Sequence, residues 1–303
     1  MNNREIIAKA SALLRDRGIV DFNISAVRIA EYCLGKPLYL ADNFLPEQLE
    51  LYNSLISKRL QKVPLQHILG KVNFRYLELF SSKDAFIARP ETELIVDYVI
   101  DYVSSVRKNS VFLDKTLHTK DNIDFALPKM KVVDLCTGSG NIAISIASEI
   151  ENTDVFAVEI SPEAIAVAEQ NNLKYGNKVK IIHDDATSTS WVNTYGIKDN
   201  VILGSFDCVV SNPPYIPSNR VFDNEVSYDP KIALYGGDDK GLYIPRKIVD
   251  VAAKLLKKGG LFVIEHDDTH QEELCEYIKG KNFSTTEPMN DLNGYPRFIK
   301  AIY

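Results

Sequence analysis

The spacing of apolar residues divides the chain into a helical front part and a longer part in which strands and helices alternate. In the stretch IIAKASALL, residues 6–14, apolar positions recur every three to four residues, which predicts an amphipathic helix. Ser25 is placed to cap a second helix, and Pro46 is placed in the first turn of a third. The first 70 residues are therefore predicted to form a small helical bundle.

The next segment changes from helical to strand-like spacing and back again. The stretches VNFRYLELF and DAFIA, within residues 71–88, predict a short β-hairpin connector. In RPETELIVDYV, Pro90 suits the first turn of a helix whose apolar face continues along the following residues. Residues 107–130 lose this spacing, and we expect an exposed linker or insertion there.

Beyond residue 130, short apolar runs that predict strands alternate with amphipathic stretches that predict helices. Strands are predicted in KVVDLC, TDVFAVEI, KIIHDD, FDCVVS, GLFVIEH and RFIKAIY. Helices are predicted in NIAISIASEI, PEAIAVAEQNNLKY and IPRKIVDVAAKLLKKGG, the last ending at Gly259 and Gly260. This alternation is typical of α/β proteins with a largely parallel sheet that carries helices on both faces.

The composition narrows the classes of function. The 303 residues are 45% hydrophobic and 25% charged, as in globular proteins, and the net charge is −6. The negative charge argues against direct, nonspecific binding of nucleic acid, which needs clustered Lys and Arg. No apolar run approaches the length of a membrane span. The four cysteines show no CxxC spacing, and we interpret them as reduced residues of a cytoplasmic protein.

A glycine-rich turn follows the first predicted strand of the alternating part, in the stretch DLCTGSGNIAISIA. Gly138 and Gly140 allow a tight turn in which the backbone approaches a ligand closely. Glu159 ends the next strand, where an acidic side chain can accept hydrogen bonds from the ribose hydroxyls of an adenosine. The pattern Gly138-x-Gly140-x-x-Ala143 also matches the dinucleotide fingerprint, so nicotinamide binding is an alternative.

Further acidic positions indicate which nucleoside is bound. Asp134, just before the turn, would repel a pyrophosphate but attract a cationic ligand. Asp184 and Asp185, at the end of the third strand, provide acceptors suited to an adenine amino group. An acidic pocket with a glycine floor suits S-adenosyl-L-methionine, which carries a sulfonium and an ammonium but no phosphate.

Several motifs together resemble one known family. DLCTGSGNIA, VFAVEISPEAIAVAEQN and SNPPYIP occur in an order and spacing similar to those of class I S-adenosylmethionine-dependent methyltransferases. With ARPETELIV, GGLFVIEH and DLNGYPRFIKA, they resemble the protein-(glutamine-N5) methyltransferases that modify peptide chain release factors. The segment RPETE favours that branch over the related ribosomal-protein glutamine methyltransferases.

The resemblance implies a fold, a division of the chain and an activity. It implies a Rossmann-like α/β fold, with a mostly parallel sheet, an antiparallel last strand and a small N-terminal helical bundle. Residues 1–70 would recognise the substrate, and residues 89–303 would form the methyltransferase domain. The enzyme would transfer a methyl group from S-adenosyl-L-methionine to the side-chain amide nitrogen (N5) of the glutamine in the Gly-Gly-Gln motif of release factors.

The resemblance also implies which residues form the site. Cofactor-binding residues are expected in the glycine turn and at strand ends: Asp134, Cys136, Thr137, Gly138, Ser139, Gly140, Glu159, Asp185, Ala186 and Asn212. Substrate-binding residues are expected in NPPY and RPETE: Asn212, Pro213, Pro214, Tyr215, Arg89 and Glu91. No metal ligands are expected, because the chemistry needs no metal and no motif completes a site around His266 and His270.

The tetrapeptide Asn212-Pro213-Pro214-Tyr215 ends a strand abruptly, since proline cannot continue the pairing. Read alone, it is also a plain strand terminator. In the functional interpretation, Asn212 accepts one N–H of a carboxamide through its side-chain oxygen, and Pro213 accepts the other through its carbonyl. Tyr215 offers a flat surface against the amide plane. Asn212, Pro213 and Tyr215 are therefore the predicted catalytic residues.

Other interpretations stay open at this point. NPPY also serves adenine-N6 DNA methyltransferases, which act on the exocyclic amine of a flipped base. A glutamine methyltransferase acting on a ribosomal protein is a second alternative, and a noncatalytic cofactor-binding module is a third. The segment from Gly236 to Asp239 is interpreted either as a mobile lid over the substrate or as a solvated turn.

Overall fold

The chain divides into two compact units, and the division does not follow a single cut in the sequence. The computed structural model describes residues 2–116, 129–199, 202–222 and 225–303. The first unit comprises Met1–Val72, Ser81–Lys83 and Val221–Asp229. The second unit comprises Asn73–Phe80, Asp84–Arg220 and Pro230–Tyr303. The boundaries at residues 70 and 88 stay predictions.

The first unit is helical, as the apolar spacing predicts. Its helices are α1 (Asn3–Asp16), α2 (Phe22–Leu34), α3 (Pro46–Leu60) and α4 (Leu65–Leu69), with a short 3-10 helix at Leu38–Leu40. Their apolar faces share one core, which includes Ile7, Leu14, Ile29, Tyr52 and Ile56. Burial of these side chains supplies the main stabilisation of the unit.

The predicted cap of α2 is wrong, because Ser25 lies inside the helix. Asp21 precedes the first helical residue, and the Ser25 hydroxyl donates a hydrogen bond to its carboxylate over 2.8 Å. The same hydroxyl accepts a hydrogen bond from Nε of Arg59, which is 1% exposed. A second nitrogen of Arg59 contacts Asp21 at 2.5 Å and Glu225 at 2.6 Å. The Ser25 side chain thus belongs to a polar cluster around the buried Arg59 and does not cap the helix.

The predicted hairpin is shorter than expected. Its strands are β1 (Lys71–Phe74) and β2 (Leu77–Phe80), whereas residues 85–88 form no strand. A 3-10 turn at Pro90–Thr92 leads into α5 (Glu93–Thr116). The prediction of a linker at 107–130 is therefore wrong for residues 107–116, which continue α5, and residues 117–128 lie outside the described ranges.

The second unit contains a seven-stranded sheet. The strands are β3 (Met130–Leu135), β4 (Thr153–Glu159), β5 (Val179–His183), β6 (Phe206–Ser211), β7 (Leu256–Glu265), β8 (Thr285–Asn290) and β9 (Pro296–Ile302). Their order is β5-β4-β3-β6-β7-β9-β8, and β9 runs antiparallel to the other six strands. The predicted mostly parallel Rossmann-like sheet with an antiparallel last strand is confirmed.

Helices connect the strands, and the buried side chains between these layers form the larger core. The helices are α6 (Asn141–Glu149), α7 (Pro162–Lys174), α8 (Ser190–Asp199), α9 (Tyr243–Leu255) and α10 (Gln271–Lys279). Phe156, Trp191, Phe206 and Phe262 are among the largest side chains of this core. Within the described ranges, none of the helices combines the length and the apolar character that a bilayer crossing requires.

The predicted end of α9 at Gly259 and Gly260 is wrong. The helix ends at Leu255, and Leu256 already pairs with Phe206 as the first residue of β7. The two glycines belong to this strand, and their backbones exchange hydrogen bonds with Tyr303 over 2.6 and 2.9 Å. Strand pairing at both sides therefore outweighs the helical spacing of this stretch.

Candidate active site

The carboxyl edge of the central strands carries the predicted site. In parallel α/β sheets, ligands bind outside the carboxyl ends of the strands where the strand order reverses. Here the chain moves outward from β3 through β4 and β5 on one side, and through β6 and β7 on the other. The reversal lies between β3 and β6, which end at Leu135 and Ser211.

Alternate residues of the turn after β3 have a positive φ. Cys136, Gly138 and Gly140 have φ values of 63°, 56° and 80°. A Cβ at Gly140 would approach the Cδ1 atom of Ile144 to 2.9 Å, so this glycine is needed for packing against α6. A Cβ at Gly138 would meet nothing within 4 Å, so Gly138 faces open space. Of the two glycines, Gly138 is therefore the one that a ligand can approach closely.

Glu159, at the end of β4, is bonded to this turn. Its carboxylate accepts a hydrogen bond from the backbone N–H of Gly138 at 2.8 Å. It also accepts the N–H groups of Ile160 and Ser161, each at 3.0 Å. A carboxylate has about four acceptor positions, so about one remains for a ligand hydroxyl. These bonds hold the predicted ribose-binding side chain in one orientation.

Asp134 is a buried carboxyl group with incomplete hydrogen bonding. The Thr137 hydroxyl donates to one of its oxygens over 2.5 Å. The other oxygen has no hydrogen-bond partner among the residues that the structure describes. Burial raises the pKa of Asp134 to about 7. A cationic group close to Asp134 would offset the unfavourable burial of its charge.

The end of β5 supplies the remaining predicted cofactor residues. His183, the last residue of β5, pairs with Glu159, so the residues that follow lie beside the end of β4. Asp185 accepts hydrogen bonds from the backbone N–H and the hydroxyl of Thr187 at 2.8 and 2.7 Å. Ala186 is buried. The predicted adenine contacts therefore lie at the same sheet edge as the glycine turn.

The tetrapeptide NPPY leaves the sheet beside the glycine turn. Ser211 pairs in register with Leu135, so Asn212 and Cys136 are the first residues beyond two neighbouring strands. Such strands lie roughly 4.8 Å apart. Pro213 and Pro214 are buried, and the Tyr215 hydroxyl donates to Glu265 at 3.0 Å. Burial first, and then the nearby Glu265 charge, raise the pKa of Tyr215, so its phenol stays protonated.

A threonine and a glutamate hold the side chain of Asn212. Its amide nitrogen donates to the Thr92 hydroxyl over 3.2 Å, and that hydroxyl donates to Glu265 over 2.7 Å. Thr92 lies in RPETE and Glu265 ends β7, at positions far apart in sequence. Burial raises the pKa of Glu265 to about 7, although its bonds to Thr92 and Tyr215 act in the opposite direction. No local sequence pattern distinguishes Thr92 as a site residue.

The flanking charged residues of RPETE have different surroundings. The Arg89 guanidinium lies 4.9 Å from the centroid of the Phe86 ring. Glu91 lies near enough to Glu265 to contribute to its raised pKa. Glu93 accepts a hydrogen bond from the backbone of Arg75 at 2.9 Å and so holds the hairpin. The predicted roles of Arg89 and Glu91 in substrate binding stay predictions.

The segment Gly236–Gly241 packs against the backbone at the end of NPPY. The backbones of Ile216 and Gly236 are joined by a hydrogen bond of 2.8 Å. A Cβ on Gly241, whose φ is 76°, would lie 2.1 Å from the carbonyl oxygen of Tyr215. The two ends of the segment are thus held in place, whereas Gly237 and Asp239 are exposed. The two interpretations of this segment, a mobile lid or a solvated turn, stay predictions.

The two histidines after β7 bind backbone carbonyls. His266 contacts the carbonyl of Asp267, and His270 contacts that of Lys240, each at 2.7 Å. Burial lowers the pKa of His266. Within the described ranges, no group of three His, Cys, Asp or Glu side chains has the arrangement of a metal site.

Comparison with known proteins defines the class first. A family model described as a methyltransferase domain matches residues 127–294, which include strands β3 to β8 of the large sheet. The second unit is therefore a methyltransferase domain, and the chain is an enzyme of that class. A second model, described as the PrmC N-terminal domain, matches residues 5–70.

Enzymes with similar sequences indicate which kind of methyltransferase this chain is. A release factor glutamine methyltransferase of Corynebacterium glutamicum is 33% identical over 98% of this chain and 97% of its own length. One of Bifidobacterium longum is 32% identical over 98% of each chain. The chain therefore belongs to the release factor glutamine methyltransferase family.

Solved structures agree with the fold. The catalytic domain of hMettl16, in complex with the MAT2A 3′UTR hairpin 6, matches with a TM-score of 0.52 over 74% of each chain. The identity is 11%, so this likeness shows the fold alone.

Proposed function

We propose that this enzyme transfers a methyl group from S-adenosyl-L-methionine to the side-chain amide nitrogen (N5) of a glutamine in peptide chain release factors. The glutamine is that of the Gly-Gly-Gln motif. The observation that carries the proposal is the register of β3 and β6. Because Leu135 and Ser211 are partners, the glycine turn and NPPY leave neighbouring strands at one level. A nucleoside cofactor over the turn and an amide held by Asn212 would then be adjacent.

The residues around the glycine turn fit S-adenosyl-L-methionine. Asp134 has a buried oxygen without a partner among the described residues, and a ligand cation would compensate it. Gly138 leaves room for close approach, and Glu159 keeps an acceptor position for a ribose hydroxyl. Asp185 and Ala186 would contact the adenine. When bound, the cofactor supplies an electrophilic methyl group on its sulfonium.

The chain's own contribution is to orient the amide. A carboxamide nitrogen is a weak nucleophile, because its lone pair is delocalised into the carbonyl. Asn212 accepts one of its N–H groups through Oδ1, and the carbonyl of Pro213 accepts the other. Two prolines limit the motion of this loop, and the Tyr215 ring lies against the amide plane. Orientation of this kind contributes up to roughly 7–11 kcal/mol in ideal cases.

We assign recognition of the release factor to residues 1–70. The match of residues 5–70 to the PrmC N-terminal domain supports this assignment. The substrate acts in translation, so we place the enzyme in the cytoplasm. The net charge of −6 agrees with a protein substrate and no direct contact with nucleic acid.

The reaction is tested with labelled cofactor and purified candidate substrates. We expect tritium to enter a release factor, and mass spectrometry to locate the added methyl on the glutamine of its Gly-Gly-Gln motif. Label in a ribosomal protein, or in adenine of DNA, would reassign the substrate. Absence of label in all three would favour a noncatalytic cofactor-binding module.

The role of Asn212 is tested by Asn212→Ala. We expect kcat to fall by about 100-fold or more, because the amide loses an acceptor that orients it. The dissociation constant of the cofactor, measured by calorimetry, should change less than about threefold, since the turn after β3 is untouched. Asn293→Ala, on an exposed turn, is the control. Wild-type turnover by Asn212→Ala would refute the role.

A further inference from the structure

A chain of hydrogen bonds runs from a buried carboxylate to the predicted catalytic amide. The side-chain nitrogen of Asn212 lies 3.2 Å from the Thr92 hydroxyl, which lies 2.7 Å from Oε2 of Glu265. Thr92 and Glu265 are 1% and 2% exposed. We propose that Thr92 and Glu265 are positioning residues that fix which side of the Asn212 carboxamide faces the substrate. This inference rests on the proposed role of Asn212 as an amide acceptor.

The direction of each hydrogen bond follows from counting donors and acceptors. Above its pKa of about 7, Glu265 is an ionised carboxylate that only accepts, so the Thr92 hydroxyl gives its single hydrogen to Glu265. Only lone pairs of that hydroxyl then face Asn212. The carboxamide of Asn212 must therefore turn its NH₂ group toward Thr92. Its oxygen is left on the opposite side, free to accept an N–H of the substrate.

The reverse orientation would be unproductive. An Asn212 side chain turned by 180° would present NH₂ to the NH₂ group of a glutamine, and two donors cannot form a hydrogen bond. Its oxygen would meet the Thr92 oxygen, which has no hydrogen left to share. Glu265 thus selects the orientation of Asn212 through Thr92, without touching the substrate.

The same carboxylate holds the other end of NPPY. Its second oxygen, Oε1, accepts the hydroxyl of Tyr215 at 3.0 Å. Arg297 is the cation whose charge acts on both Tyr215 and Glu265. One side chain at the end of β7 therefore orients the first and the last residue of the tetrapeptide. A well-satisfied buried network of this kind restricts its members to one arrangement.

The test compares two substitutions of Thr92. Thr92→Val keeps the shape but removes the hydroxyl, and we expect kcat to fall by roughly 10- to 100-fold. Cofactor affinity should be unchanged. Thr92→Ser restores the hydroxyl, and we expect it to recover most of the lost kcat. Thr269→Val is the matched control, because Thr269 makes a bond of the same 2.7 Å length to Asp267 but does not contact Asn212.

A second variant covers the case in which Thr92→Val folds poorly. In Glu265→Gln, the hydroxyls of Thr92 and Tyr215 meet one acceptor oxygen and one NH₂ group, so both bonds cannot persist. We expect kcat to fall by about tenfold, with a smaller change in the KM for the release factor. Folding of each variant is checked by circular dichroism.

The outcomes separate this inference from the proposed function. Equal losses of kcat in Thr92→Val and Thr92→Ser would assign Thr92 to packing and overturn the inference. Full activity of folded Thr92→Val or Glu265→Gln, with Asn212→Ala inactive, would overturn the positioning role alone. Full activity of Asn212→Ala would remove the proposed function on which the inference rests.

Discussion

Two carboxyl groups at the sheet edge are buried without complete compensation of their charge. Burial raises the pKa values of Asp134 and Glu265 to about 7 each, from ordinary values of 3.8 and 4.5. Around Glu265, the bonds from Thr92 and Tyr215 and the charge of Arg297 lower its pKa, whereas Glu91 raises it further. Folding therefore favours the protonated form of both groups, which makes stability depend on pH near neutrality.

We predict that the free energy of unfolding falls as pH rises from about 5 to 8. A carboxyl group whose pKa is higher in the folded state than in the unfolded state adds to the free energy of unfolding. This added stability is fully present below the pKa of the unfolded state and is lost as pH rises through the pKa of the folded state. Glu265→Gln removes one such group. The free energy of unfolding of the variant minus that of the wild type should increase by on the order of 2 kcal/mol between pH 5 and pH 8. Urea unfolding without cofactor measures this difference. If the free energies of unfolding of the two proteins changed equally with pH, the raised pKa of Glu265 would be contradicted.

The sequence was sufficient to place the main candidate residues at one edge. Asp134 and Glu159 lie at the carboxyl ends of β3 and β4, and Asn212 directly follows β6. The carboxyl ends of parallel strands meet on one side of the sheet. Thr92 was not identified because its contact with Asn212 joins positions 120 apart. In RPETE only the charged residues suggested function, while the threonine has no local pattern that distinguishes it. Its role depends on a tertiary hydrogen bond.

At the scale of elements, the turn Gly236–Gly241 determines how NPPY is supported. The backbone of Gly236 passes close to that of Gly241, and the backbone of Gly241 passes close to that of Tyr215, so side-chain atoms do not fit between them. A Cβ on Gly236 would lie 2.1 Å from the carbonyl oxygen of Gly241, and one on Gly241 would lie 2.1 Å from that of Tyr215. Close contact therefore requires glycine at both positions, and the positive φ of 76° requires it at Gly241 as well.

We predict that Gly241→Ala disturbs the site strongly. The added methyl group must displace the backbone of Tyr215, and we expect kcat to fall by at least about tenfold, with a loss of several kcal/mol in stability. Gly259→Ala is the matched control, since φ is 80° there but a Cβ meets nothing within 4 Å. The control should lose about 1–2 kcal/mol in stability and retain wild-type kcat. Similar behaviour of both variants would contradict the role of close contact.

The elements that the sequence did not reveal have weak local patterns. β8 reads TTEPMN, contains Pro288 and is largely exposed, as an edge strand permits. α8 contains Gly196 and lacks a clear apolar stripe. α10 was not predicted either, although Leu274, Cys275 and Ile278 lie at helical spacing in it. The strands of the sheet interior were predictable because their apolar runs are buried on both sides.

At the scale of the whole molecule, the first unit depends on residues distant in sequence. Arg59 is 1% exposed and contacts both Asp21 and Glu225, a residue 166 positions away. The Tyr228 hydroxyl also donates to the carbonyl of Gln61 at 2.9 Å. The segment Val221–Asp229 is therefore a structural part of the helical unit, although it follows NPPY in the chain.

We predict that Arg59→Met destabilises the protein by about 2–4 kcal/mol. The substitution retains much of the apolar volume but leaves two carboxylates and the Ser25 hydroxyl without their shared donor. Arg28→Met is the control, because Arg28 pairs with Glu31 on the surface, where such pairs contribute at most about 1 kcal/mol. Urea unfolding followed by circular dichroism measures both. Equal stability of the two variants would mean that the buried cluster contributes little.

The discontinuity of the helical unit has a consequence for biosynthesis. Translation proceeds from the amino terminus, so the ribosome releases α1 to α4 long before it releases Glu225. During that interval Arg59 has only one of its two carboxylate partners, and the nascent helices lack the segment that completes their packing. The amino-terminal helices therefore reach their final stability only after most of the catalytic domain has been synthesised.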